Sequence, residues 1–396
     1  MGPFSRGFSG RFWALIGATF LGFLGIGTVL PALGPHVRFD LGGSDQTVGL
    51  VIGSFSFVAL GSRLISGPLA DRKGRKITFL LGLFSCAAAG AAYFLPLGIA
   101  GAYLGRMLQG LGEACLYTGA ATWVVETAGI ERSAQAMGYL SSGIWGGISA
   151  GPVVGAWLGS FHRAALMQVV CALAGFLILT RVPERYTPAA RKRGRRALVA
   201  SLLPSGFAVG FVNVHYPVIT GFLILHLARH GNSGPAAFTA YAGMMLLSRF
   251  FLGGLPDRLP PAITFYGGLL GMAFGLIVLA TGPAPVLAVC GAAVLGFGFS
   301  FPWSSIAATV MKRTADSERG SSISVLSAFY DLFVGTGSFA AGAVANHFGY
   351  SAAFLMAAVA LTGAAVGGRF VFAARSPESR LETTAAGKPS RLSSQI

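Results

Sequence analysis

The sequence predicts an all-α integral membrane protein: twelve transmembrane helices in two pseudo-symmetric six-helix bundles. Three observations carry this expectation. Hydrophobic residues make up 54% of the 396-residue chain and charged residues only 11%, too few charges to cover a soluble surface of this size. Twelve apolar segments of roughly bilayer length can be marked, at 12–34, 47–69, 77–97, 100–125, 133–160, 164–182, 198–223, 236–255, 261–281, 284–311, 321–346 and 350–373. A motif of the first half also returns in the second. Residues 63–76 read RLISGPLADRKGRK and residues 249–258 read RFFLGGLPDR. Arg63, Gly67, Leu69, Asp71 and Arg72 match Arg249, Gly253, Leu255, Asp257 and Arg258, each pair 186 residues apart.

The repeat continues along the chain. Gly110 and Gly112 match Gly296 and Gly298 at the same offset. Glu131-Arg132 matches Glu318-Arg319, and Gly155 matches Gly342, at an offset of 187. An even number of spans per half gives both halves one orientation, related by an axis along the membrane normal. Such a pair of sister halves with charged hinges points to a transporter that rocks between two states.

Each element has its own justification. The first apolar run is too long for a signal peptide and has no small-residue cleavage site after it, so it is expected to stay as the first helix. The second ends in the charged turn 71–76. Arg181–Arg196 breaks the hydropathy pattern with two prolines and seven positive charges. It reads as a basic cytoplasmic linker, 181–197, between a first unit at 1–180 and a second at 198–373. Its charges either touch anionic headgroups or are merely solvated. In the seventh span Pro217 predicts a kink. Residues 374–396 are polar and predict a disordered cytoplasmic tail. The 58 glycines would weaken helices in water, whereas in lipid small residues let helices approach closely.

The net charge of +16 raises nucleic acid as a partner, but the placement of the charge argues against it. With the N-terminus in the cytoplasm, 23 of the 29 Lys and Arg residues fall in the tails and even-numbered loops. Arg38, Arg163 and Arg229 lie on the other side, and Arg63, Arg106 and Arg249 lie inside spans. This is the positive-inside asymmetry of an inner or plasma membrane protein with both termini cytoplasmic. Cys86, Cys115, Cys171 and Cys290 all fall within spans and form neither a metal spacing nor a disulfide framework; they read as small packing residues. No metal or cofactor site is expected.

Polar residues inside the spans are the candidates for chemistry. Arg106, Gln109, Gly110, Glu113 and Tyr117 recur at i, i+3, i+4, i+7 and i+11, one helical face, opposite Leu104, Met107, Leu108 and Leu111. Buried arginine costs at least about 2.5 kcal/mol on insertion scales, so this stripe is expected to line a central cavity. Asp331 lies near the midplane of the eleventh span and shares a face with Ser327, Gly335 and Ser338. Glu113 and Asp331 either couple to protons, with Arg106 modulating them, or pair with neighbours and hold helices together. Arg63 and Arg249 stand eight residues before Asp71 and Asp257. They either snorkel to the interface or meet an anionic substrate, since two symmetric arginines suit a carboxylate or phosphate. Asn213, Tyr216 and Thr220 share a face of the seventh helix. His215 beside them either titrates or is a satisfied hydrogen-bonding residue. Tyr139, Ser142 and Trp145 of the fifth helix either contact substrate or pack.

These motifs resemble the major facilitator superfamily over residues 12–373. GPLADRKGRK at 67–76 is similar to its loop 2–3 motif. LGRMLQGLGEA at 104–114 is similar to its fourth-helix motif, departing at Glu113, where the family usually has a small residue. Gly138, Gly147, Gly151, Pro152 and Gly155 follow the fifth-helix spacing G-x8-G-x3-G-P-x2-G, with Ala156 where the family has a further glycine. The resemblance implies the twelve-helix drug and metabolite exporters, including the arabinose-efflux-like group. It implies a monomer that exchanges protons for a small organic molecule. It also implies that Gly67, Asp71, Arg72, Gly74, Arg75 and Lys76, with Asp257 and Arg258, form a gate. In that gate Asp71 accepts from the N-terminus of the eleventh helix near Ser321; the alternative is a static topology anchor. Proton-coupled uptake of a sugar or organic acid is the second reading. A membrane-embedded enzyme or receptor is the third, and HExxH and GxxxxGK[ST] do not occur in the sequence.

Overall fold

The computed structural model describes residues 8–129, 132–184, 195–228, 234–252, 259–314 and 319–373. Among these are fourteen α-helices and no strand. They are α1 (Gly10–Pro35), α2 (Asp45–Lys73), α3 (Arg75–Ala92), α4 (Ile99–Ala128), α5 (Ser133–Leu158), α6 (Phe161–Thr180), α7 (Arg195–Asn213), α8 (His215–Ala228), α9 (Gly234–Leu252), α10 (Pro261–Ala280), α11 (Pro285–Phe299), α12 (Pro302–Arg313), α13 (Arg319–Phe348) and α14 (Tyr350–Ala373). Nine helical stretches are long and apolar enough to cross a membrane on length and composition. The glycine-rich α4 and α5, and α9, cross beside them. The seventh and tenth crossings are each two helices, so fourteen helices make twelve crossings. The polar linker over 185–194, Asp257 and Arg258, Glu131 and Glu318, and the tail 374–396 lie outside the described residues.

Local chemistry sets the helix ends. Ser44 caps α2: its hydroxyl accepts from the Thr47 N–H at 3.1 Å, and Asp45 adds a carboxylate to the first turn. The α2–α3 turn passes through Gly74 at φ 106°, a conformation other residues rarely adopt. The seventh crossing breaks at Val214, three residues ahead of Pro217, rather than bending at the proline. Pro217 has no N–H for the carbonyl of Asn213, and its ring presses on that carbonyl. The tenth span, read from hydropathy as continuous, breaks at Ser300–Phe301 before Pro302 for the same reason.

Helices α1–α6 pack as one bundle and α7–α14 as the other. In the first, α5 and α6 lie on α1, α4 lies on α2 and α3, and α3 lies on α6; in the second, α11 and α14 lie on α10, α9 lies on α11, and α7 lies on α13 and α14. The repeat holds at the level of contacts. Gly110 abuts the backbone carbonyl of Phe55, and Gly296 abuts that of Tyr241. A Cβ at Gly112 would stand 2.9 Å from the Gly82 carbonyl, and one at Gly298 would stand 2.6 Å from the Gly268 carbonyl. Each matched pair is 186 residues apart, so one packing scheme was built twice.

Within the first bundle α5 lies on α1 through small residues. A Cβ at Gly151 would come within 2.5 Å of Gly27 Cα; Gly147 faces the Phe20 carbonyl and Gly155 the Thr28 carbonyl, while Pro152 packs on Gly27. Gly138 has open space around it, so the expected packing role does not hold there. The working stripe runs Gly143, Gly147, Gly151, Gly155, one residue per helical turn.

Among the described residues four helix pairs join the bundles: α2 with α13, α5 with α9, α1 with α8 and, less extensively, α2 with α8. Near the end of the molecule that carries Asp45, the seam is backbone on backbone. A Cβ at Gly49 would stand 2.5 Å from the Ser338 carbonyl and 2.7 Å from Gly342 Cα, the Ser338 hydroxyl donates to the Gly49 carbonyl at 2.7 Å, and the Tyr350 hydroxyl donates to Asp45 at 2.7 Å. This end, the distal face, is sealed; the opposite end, where α6 runs out toward the linker, is the linker face.

Candidate functional site

The two bundles meet in mid-membrane at Arg63 of α2. Its Nε donates to Asp331 Oδ2 of α13 at 2.6 Å, and its Nη2 donates to Glu113 Oε2 of α4 at 3.2 Å. Asp331 is 1% exposed. One cation is thus shared by two carboxylates, one from its own bundle and one from the other. The guanidinium also lies 5.3 Å from the Tyr117 ring centroid, and Ser327 sits one turn before Asp331 on α13 and is buried. The sequence reading set Arg106 beside these carboxylates; the structure puts Arg63 there instead. Nor does Arg63 snorkel. It stands ten residues, about 15 Å, from the Lys73 end of α2, and turns inward.

Arg106 and Gln109 belong to the interior of the first bundle. Arg106 donates to Gln109 and to the Ile52 carbonyl and lies 4.4 Å over the Phe55 ring. The Gln109 amide donates to Gln168 at 3.1 Å and to the Ile26 carbonyl at 3.3 Å, and Gln168 in turn donates to the Cys86 carbonyl at 2.8 Å. Gln109 is fully buried and fastens α4 to α1 and α6, so it does not line a cavity. The expected polar stripe divides: Arg106 and Gln109 face inside the bundle, and Glu113 and Tyr117 face the seam.

Arg249 of α9 occupies the matching place in the second bundle, with different company. Its guanidinium lies 4.1 Å from the Trp145 ring centroid and 5.7 Å from that of Phe299. Trp303 stands 6.0 Å from Trp145, and Tyr330 6.5 Å from both Trp145 and Tyr216, between centroids. The Nε and Nη2 of Arg249 are buried and have no hydrogen-bond partner among the described residues.

The broken seventh crossing borders this aromatic group. His215 is fully buried. Its Nδ1 faces the Val212 carbonyl at 2.7 Å and its Nε2 the Tyr241 hydroxyl at 3.1 Å. A carbonyl only accepts, so Nδ1 carries the proton and Nε2 accepts from Tyr241; both ring nitrogens are satisfied. Asn213 donates to the Val209 carbonyl at 2.7 Å, and Thr220 to the Tyr216 carbonyl at 3.0 Å. Tyr139, expected near substrate, packs instead at the linker-face end of α5 against Trp13, Phe8 and Phe12 on and beside α1, with centroids 5.1, 5.5 and 6.0 Å away. Ser142 donates to its own helix at Gly138.

At the linker face, the charged turn ties the first bundle to itself. Arg75 donates to Glu126 at 2.5 Å. The Lys76 ammonium donates to the Thr180 and Val182 carbonyls at 2.9 and 2.7 Å. The backbone N–H groups of Arg75 and Lys76 donate to Glu184 Oε1 at 2.6 and 3.2 Å, so Glu184 caps α3 from the far end of α6. Asp71 and Arg72 lie exposed on the last turn of α2. Glu126 and Glu184 escaped the sequence reading. Their signal was weak: two carboxylates among many basic residues at helix ends.

The family model described as Major Facilitator Superfamily matches residues 15–314 and 235–395. An uncharacterised MFS-type transporter of Salmonella typhimurium is 32% identical over 366 residues, covering 88% of this chain and 93% of its own. A second, from Burkholderia mallei, is 30% identical over 370 residues, covering 88% of each chain. The crystal structure of the nucleoside transporter NupG superposes with a TM-score of 0.72 at 14% identity, covering 93% of this chain and 100% of NupG, a likeness of fold. Two bundles, a polar seam in mid-membrane and these relatives lead to one conclusion: the chain belongs to the major facilitator superfamily, multi-pass membrane proteins that carry small molecules as secondary transporters and are not enzymes.

Proposed function

We propose that this transporter exports a small organic molecule in exchange for protons, as a monomer in the inner membrane with its linker face and both termini in the cytoplasm. The observation that supports this best is the shared cation: Arg63 holds Glu113 of its own bundle and Asp331 of the other. One positive and two negative charges leave a surplus negative charge away from bulk water, and a single proton removes it. Because Asp331 reaches Arg63 across the seam, the pair must part when the bundles rock. Asp331 then loses its cation and takes up the proton, while Glu113 stays with Arg63. Resealing the distal face restores the pair and expels the proton toward the linker face. Proton state and access are thereby linked. The fifth-helix glycine stripe on α1 and the basic residues of the linker face support the exporter reading and the orientation. Asp71 and Arg72, with Asp257 and Arg258 as their repeat mates, serve as the gate, while Arg75 and Lys76 anchor the first bundle.

The test uses proteoliposomes with an entrapped pH dye and a panel of labelled organic acids, nucleosides and cationic drugs. An imposed pH gradient is expected to drive at least one compound opposite to protons. Asp331→Asn should keep downhill exchange and lose gradient-driven accumulation. Movement with the protons would make the protein a symporter. Amide variants at both Glu113 and Asp331 that move protons as the parent does would remove the coupling assignment.

A further inference from the structure

Arg63 and Arg249 are repeat mates, and so are their surroundings. At the offset of 186, Glu113 corresponds to Phe299 and Tyr117 to Trp303; at the offset of 187 that holds over the fifth and eleventh spans, Asp331 corresponds to Ile144, the neighbour of Trp145. In the first half Arg63 spends Nε on Asp331 and Nη2 on Glu113. In the second half the rings of Trp145 and Phe299, 4.1 and 5.7 Å from the Arg249 guanidinium, are its neighbours in place of carboxylates. The two nitrogens that lack a hydrogen-bond partner among the described residues are again Nε and Nη2. Their N–H bonds point in parallel from one edge of the guanidinium, the edge that receives both oxygens of a carboxylate. Trp145 covers the face of the group and leaves that edge. Guanidinium stays protonated in proteins, and a buried charge without a counter-ion is costly; the rings return only a cation–π contribution. Among the described residues both mid-span carboxylates lie on Arg63; Arg106 spends its Nη1 on Gln109 and its Nη2 on the Ile52 carbonyl, and Arg249 is left with its Nε and Nη2 unspent.

The geometry points to Arg249 as the residue that takes the carboxylate of the transported molecule, an organic monocarboxylic acid whose aromatic or apolar body packs on Trp145, Phe299, Trp303 and Tyr330. The ligand supplies the anion that the chain itself supplies to Arg63. Aromatic walls offer a hydrated inorganic anion nothing to replace its water, so the body of the ligand contributes as well as its charge. This names the substrate class for the transport reading above and rests on it. Binding measured with no gradient separates the two, because the acid site can fail while proton-coupled flux stands, and the reverse.

The experiment is calorimetric titration of the purified full chain in lipid nanodiscs with benzoate, 3-phenylpropanoate and octanoate, and with their amides as neutral counterparts. At least one acid is expected to bind at least tenfold more tightly than its amide. Arg249→Met should remove that preference. Trp145→Asp places a carboxylate on a residue that adjoins the Arg249 guanidinium; it should weaken the acid at least tenfold while leaving the thermal unfolding midpoint unchanged or raised. If Arg249→Met does not stay monodisperse, Arg249→Lys, which keeps the charge and loses the fork, should weaken the acid at least tenfold. Equal binding of acid and amide, no binding by any of the three acids, or parental acid affinity in these variants would overturn the assignment.

Discussion

Arg63 and Arg249 stand at equivalent points of two bundles that share a packing scheme, and they live in opposite surroundings. Arg63 has two carboxylates on one edge; Arg249 has aromatic rings and an edge without partners among the described residues. The scaffold fixes the depth and direction of each arginine, because the glycine contacts around them recur residue for residue. The helices facing them then decide the chemistry. With acidic residues there, the site holds a cross-bundle ion pair. With aromatic residues there, it holds a cation against their rings. In the proposed function, duplication of the fold yields a coupling half and a recognition half.

The largest expected effect breaks this comparison at its root. Arg63→Met strands two buried carboxylates and should cost about 3–5 kcal/mol of stability, read as a lowered thermal unfolding midpoint in lipid. Arg249→Met removes a buried cation whose fork is unpaired and should be neutral or stabilising. Equal losses in the two variants would mean that the two environments do not differ as described.

A second, smaller effect tests the seam. Gly49→Val pushes a side chain into the Ser338 carbonyl and Gly342, an overpacking of about 1–3 kcal/mol. Roughly each 1.4 kcal/mol is a tenfold shift away from the state sealed at the distal face. Thiol labelling of a cysteine placed at Ile52 should accelerate accordingly. Gly138→Val, on the same glycine-rich α5 that the motif singled out but facing open space, should change neither labelling nor flux.

The smallest effect sharpens the role of the charged turn. Glu184→Gln weakens the carboxylate cap on α3 and should cost about 1 kcal/mol. Glu126→Gln loses a partly exposed ion pair worth about 0–1 kcal/mol. Both are read from unfolding midpoints. Neither should alter the response of the bundles to pH, since both residues bind within one bundle.

Much of this was legible in the residues, and the rest failed for identifiable reasons. Hydropathy located twelve crossings, and the 186-residue offset marked Arg63 and Arg249 as equivalent. The midplane depth of Glu113 and Asp331 followed from counting turns. Which cation meets them did not, because Arg63 and Asp331 are 268 residues apart in the chain and meet only through the packing of α2 on α13. Arg106 shares a helix with Glu113, which made it the nearer candidate on paper. Gln109 was misplaced because a stripe spanning eleven residues of one helix can face two neighbours at once. The break at Ser300–Phe301 stayed hidden because an apolar average runs over a missing hydrogen bond without registering it, although Pro302 carried the signal.

The central claim is that protonation of Asp331 releases Arg63 and lets the bundles part at the distal face, which brings them together at the linker face. Electron–electron distance measurements between spin labels at positions 73 and 312, both exposed at that face on opposite bundles, test it in lipid across a pH series. The parent chain should shorten toward its closed distance as pH falls, because the added proton removes the charge that binds Arg63 and frees the distal face to open. Asp331→Asn should show the closed distance at every pH. An Asp331→Asn variant that keeps the parental distance and the parental pH response would contradict the account.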